Sequence, residues 1–143
     1  MIGLTISNDS FYDKDYLETF ARLESYKHFG LGSESSTLVP FYQELIKEVR
    51  GKDAEATFKD RVLSKTETEQ IKTIFEREMD KLILTRVPTN KPPHKNIKYK
   101  GVVFELDLRL TNPIDRRMND YFTILEISHE CLKQNKPMYL SFE

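Results

Sequence analysis

Residues 102–110 read VVFELDLRL. Val102, Phe104, Leu106, Leu108 and Leu110 take alternate positions, with Val103, Glu105, Asp107 and Arg109 between them. Successive side chains of a strand point to opposite faces, so this period of two predicts a strand with a buried apolar face and a wet face. Asn112-Pro113 then turns the chain, and Asp115 stands where a helix cap belongs. Phe122, Leu125 and Leu132 lie near one face of the helix that follows, and Ile124, Ile127 and Cys131 widen it. Pro137 ends the segment, and MYLSF (138–142) reads as a terminal strand. Strand, long helix and strand fit a crossover unit if the two strands run parallel.

Upstream of that stretch, Pro88, Pro92 and Pro93 exclude a helix over Pro88–Asn96. Before this break, Ile71, Ile74, Phe75, Met79 and Leu82 share a helical face. Ser64-x-x-Glu67 and Thr66-x-x-Glu69 both match a capping box at its start. The end of this helix is open, because Leu82–Val87 (LILTRV) reads equally as a strand. Residues 53–63 suggest a short helix with Phe58 and Val62 inward. Leu38, Phe41, Tyr42, Leu45, Ile46 and Val49 predict another helix, with Pro40 in its first turn and Gly51 as its stop. Tyr16, Phe20 and Leu23 mark an earlier helix that Gly30 and Gly32 can end, and Ile2, Leu4 and Ile6 a short first strand.

Together these elements predict an α+β fold in which residues 1–143 form a single globular domain. A small sheet of three to five strands would pack against four or five helices. The 143 residues, 38% hydrophobic and 31% charged, suffice for one core without a metal or disulfide. The lone Cys131 fits a reducing compartment, the first residues lack a basic signal-peptide start, and no apolar run spans a bilayer. The expectation is a cytoplasmic protein with no membrane partner.

Twenty-two basic against 23 acidic residues argue against a dedicated nucleic-acid binder. The charge is uneven, however. Residues 1–60 hold seven basic and eleven acidic side chains, whereas residues 89–101 (TNKPPHKNIKYKG) hold Lys91, Lys95, Lys98 and Lys100 and no acid. Tyr99 in that loop offers a stacking surface. Arg116-Arg117 form a second basic pair near a helix start, the end where the dipole disfavours cations.

Catalytic signals are weak. Glu126-x-x-His129 is half of a di-iron spacing without its second half, and points to a solvent-facing helix surface. Cys131 is expected to pack as a small hydrophobe, since His129 two residues away faces elsewhere on a helix. Glu105 and Asp107, followed by Arg109, loosely echo a metal-dependent nuclease strand, but cross-strand ion pairing explains them as well. Phosphate-loop, dinucleotide, nucleophile-elbow and zinc-protease motifs are all missing. No catalytic residue, metal or cofactor is assigned.

The expected function is therefore that of a non-catalytic protein-binding domain, a small inhibitor such as an immunity protein that neutralises a toxin by direct contact. Its contact residues would be Lys91, Lys95, Lys98, Tyr99, Lys100, Arg116 and Arg117. The alternatives are a nucleic-acid accessory protein using the 91–100 loop, and an enzyme of unfamiliar type built on Glu105, Asp107 and His129.

Overall fold

A computed structural model describes residues 3–7, 26–30, 47–49 and 62–142 of the chain. The fold is α+β. Strands β1 (Gly3–Ser7), β2 (Tyr26–Gly30), β3 (Val62–Leu63) and β6 (Met138–Phe142) form one antiparallel sheet in the order β2-β1-β6-β3. Strands β4 (Lys95–Tyr99) and β5 (Val102–Leu106) form a separate antiparallel hairpin. Two long helices, α1 (Lys65–Thr85) and α2 (Pro113–Lys133), pack on each other, and α2 touches strands of both sheets. Residues 47–49 are also helical. The expected single sheet against four or five helices is thus not matched: the strands divide between two sheets. Most residues of the expected helices, the one that Gly30 and Gly32 would end and those over 38–49 and 53–63, lie outside the described residues.

Helix α1 begins where its sequence signal places it. Ser64 Oγ accepts from the Glu67 N–H at 3.2 Å, and the Ser64 N–H donates back to Glu67 Oε1 at 3.0 Å. This reciprocal pair satisfies two donors that the first turn leaves free. Ile71, Ile74, Phe75 and Met79 are buried as their spacing requires. The LILTRV ambiguity resolves as helix through Thr85. On α2 the buried stripe runs through Met118, Tyr121, Ile124, Leu125, Ile127, Ser128 and Cys131, while Phe122 and Leu132 are only half-buried. Phe75 meets Tyr121 edge to face, with ring centres 5.3 Å apart, which joins the two helices at mid-length.

Four sequence expectations are corrected. First, the crossover unit does not form, since β5 and β6 belong to different sheets and every strand pair is antiparallel. Second, the strand over Val102–Leu110 stops at Leu106. Asp107 is buried and its Oδ1 accepts the Arg109 N–H at 3.2 Å, an Asx-type bond that bends the chain out of the ladder. Third, Tyr26–Gly30 is a strand rather than the end of a helix, and Val62 pairs with Tyr139 in β3 rather than continuing one. Fourth, Asn112 caps α2, its Oδ1 accepting from the Asp115 N–H at 3.1 Å. Asp115 sits in the first turn of the helix, and its carboxylate is committed elsewhere.

Candidate protein-binding surface

Residues 89–101 are not one loop. Lys95–Tyr99 is strand β4, and the two-residue turn Lys100-Gly101 joins it to β5. Both turn residues have positive φ, +49° and +80°, the sign pattern of the type I′ turn that matches strand twist. The hairpin's inner face carries Ile97, Tyr99 and Leu106 into the core. Its outer face carries Asn96, Lys98, Val103 and Glu105, all exposed.

Three attachments hold the hairpin to the helices. Tyr99 is only 7% exposed, and its hydroxyl lies 2.9 Å from Asp80 Oδ1 and 3.1 Å from the Glu76 carbonyl. One hydroxyl proton serves one acceptor at a time, so these two share it. Burial, and then the Asp80 bond, pushes the Tyr99 phenol up to about 12. Tyr99 is therefore a buried anchor of β4, and the stacking surface read from the sequence is not there. Beside it, Lys100 Nζ reaches Asp80 at 3.0 Å on the surface.

The second attachment is a buried hub. The Asp115 carboxylate, 1% exposed, accepts from Arg86 Nε at 2.8 Å, from Arg86 Nη2 at 3.3 Å and from the Asp107 N–H at 2.8 Å. Arg86 Nη2 also donates to the Glu105 carbonyl, and its guanidinium lies over the Phe104 ring at 5.8 Å. One arginine thus ties the end of α1 to β5 and to the start of α2. The third attachment is at Leu108. Its N–H donates to His94 Nδ1 at 3.1 Å, and its carbonyl accepts from Arg116 Nη1 at 2.8 Å. The same His94 Nδ1 lies 3.5 Å from Asp107 Oδ1.

The expected contact residues divide accordingly. Lys91, Lys95 and Lys98 are exposed, with no ion pair to any described residue. Lys100 is exposed and paired with Asp80. Arg116 is half-buried and holds the Leu108 carbonyl, and Arg117 is half-buried on α2. Asp107 is a buried structural acid where a wet-face one was expected. His129 follows Asp115 on α2 by fourteen positions, about 21 Å along the axis. Glu105, Asp107 and His129 therefore do not converge, and no group of three metal-ligating side chains occurs among the described residues. Cys131 is fully buried, and burial pushes its thiol up to about 11. No helix among the described residues is long and apolar enough to cross a membrane.

What sequence reading missed is the apolar component of this surface. Leu84, Val87, Val102, Val103 and Leu110 are 54 to 87% exposed, the five exposed large hydrophobics among the described residues. All fall in the same stretch as the four lysines. The signal was present at Val102 and Leu110, but the alternating pattern assigned both to the buried face. No protein-family model, curated protein or solved structure matches this chain.

Proposed function

We propose that this chain is a non-catalytic protein-binding domain, in the class of small cytoplasmic inhibitors such as immunity proteins that neutralise a toxin by direct contact. Residues 84–110 are its contact segment. The observation that carries the reading is that, within that one segment, the five exposed large hydrophobics of the described residues flank Lys91, Lys95, Lys98 and Lys100, with Leu84 and Val87 before them and Val102, Val103 and Leu110 after. Isolated exposed apolar residues need no explanation, but among the described residues these all lie in one segment beside a cluster of four lysines, and apolar area next to such a cluster is what a recognition surface requires. Apolar side chains supply contact area, and the lysines steer an acidic partner and fix its orientation. The hydrogen bonds of Arg86, Asp115 and Tyr99 hold the segment in one shape before binding, which lowers the ordering cost.

The test is affinity capture from source and neighbouring cells at moderate salt with nuclease treatment, using the wild-type chain and the Val103→Glu/Lys98→Glu variant. One stoichiometric protein held by the wild type and lost by the variant supports the reading. Equal capture by both moves the contact to another face. Capture of nothing, or of material removed by nuclease, defeats it.

A further inference from the structure

We infer that the outer edge of β4 receives an extended acidic segment of a protein partner as an added strand. The inference rests on the protein-binding reading and specifies how its contact is made. In a hairpin closed by a two-residue turn, the flanking pair Tyr99–Val102 exchanges hydrogen bonds, and so do the pairs two and four residues further along. The backbone groups of Asn96 and Lys98 on one strand, and of Val103 and Glu105 on the other, therefore point away from the ladder. The two edges differ in what meets them. On the β5 side the Glu105 carbonyl is taken by Arg86, and just past the strand the Asp107 N–H is taken by Asp115. On the β4 side, the backbone N–H and C=O of Asn96 and Lys98 have no partner among the described residues, and both residues are exposed. The hairpin is thus tethered along β5 and open along β4.

The charge around the open edge decides which strand fits. Lys95 and Lys98 lie on β4, Lys91 precedes it and Lys100 follows it, and the first three have no ion pair with any described residue. Glu105 is the one acid on the outer face, and it lies on β5, one strand further from the edge. A second copy of this chain would bring its own Lys95, Lys98 and Lys100 against these, so self-pairing is repelled. An acidic strand is attracted instead, and its acids fall beside Lys98 on the outer face. Its alternate residues fall on the inner side with the buried Ile97 and Tyr99, the side on which apolar residues match the hairpin's own pattern. The partner segment is therefore extended, with acidic and apolar residues alternating. Main-chain bonds to Asn96 and Lys98 give affinity and the lysines give selectivity.

The probe is a short fluorescent peptide of alternating Glu and Val, compared with its Lys-Val counterpart and with a Glu-Val peptide N-methylated at alternate amides. Binding is read by anisotropy and by amide hydrogen exchange at Asn96 and Lys98. The expected result is binding by the Glu-Val peptide alone, with both amides protected in the complex. Lys98→Glu should weaken it at least about fivefold, the scale of losing a cross-strand charge pair and gaining a like-charge one. Asn96→Pro should abolish it while leaving the melting transition cooperative, since proline is tolerated where an edge N–H faces solvent. Equal binding of the N-methylated peptide, unprotected Asn96 and Lys98 amides, or undiminished binding by Asn96→Pro overturns the inference. So does binding of a single-stranded DNA oligonucleotide in place of the peptide. Should Asn96→Pro still hold a captured cellular partner that Val103→Glu loses, strand addition fails while the protein-binding reading stands.

Discussion

Asp115 is the residue on which the hairpin's position depends. A carboxylate with 1% exposure is stable only because Arg86 and the Asp107 N–H compensate it, and Arg86 in turn is largely covered. Removing one member of a buried pair strands the other charge. Asp115→Ala should therefore lose about 3–5 kcal/mol in urea unfolding, and free the β5 edge to exchange. Tyr99 gives a different signature. Its phenol is raised from 10.0 to about 12, so the folded state holds this proton where the unfolded chain has released it. The Tyr99 contribution is complete below pH 10 and is lost as pH rises through about 12. The stability difference between wild type and Tyr99→Phe should be constant near neutrality and shrink across that window. A difference that does not change with pH would show that Tyr99 is not held as described. The hub was not legible in the sequence. Asp115 reads there as a cap and Asp107 as a wet-face acid, because nothing local says that Arg86, 29 residues before Asp115, will reach its carboxylate, or that the Asp107 N–H will donate to it.

At the scale of elements, the two helices were legible and the hairpin was half legible. Helix α1 announces itself twice, through the Ser64–Glu67 box and through the spacing of Ile71, Phe75 and Met79, and both signals are local. Strand β4 carries only Ile97 and Tyr99 as alternating apolar residues, diluted by lysines and preceded by Pro92-Pro93. Its turn lacks the Asn-Gly or Asp-Gly pair that marks a two-residue hairpin. Lys100 instead takes the left-handed conformation at φ +49°, with Gly101 following at +80°. A Cβ on Gly101 would meet no atom within 4 Å, so the penalty of Gly101→Ala is conformational alone. It should cost about 1 kcal/mol in thermal unfolding. A much larger loss would mean that the turn is not of this kind.

For the whole molecule, β6, one of the two inner strands of the four-stranded sheet, decides. Strand β6 pairs with β1 on one side, through Leu4–Phe142 to Ser7–Tyr139, and with β3 on the other. The end of the chain thus joins residues from its beginning to residues from its middle. Deleting residues 138–143 should abolish the cooperative melting transition, because it removes both ladders and the buried Met138 together. A truncated chain with an unchanged melting temperature would contradict this topology. Pairing across so long a separation is also expected to make folding slow.

The sequence by itself determined the α+β class, the start of α1 and the buried face it presents, the burial of Cys131, and the concentration of lysine between Lys91 and Lys100. These follow from short-range periodicity and capping, which act within a turn or two of chain. Only the tertiary structure decided that β5 and β6 part into different sheets, that Tyr99 is an anchor and not a contact, and that Arg86 and Asp115 close the β5 edge while β4 stays open. Each of those depends on which distant group arrives to satisfy a buried charge or a free backbone group, and that choice is made by packing among elements far apart in sequence.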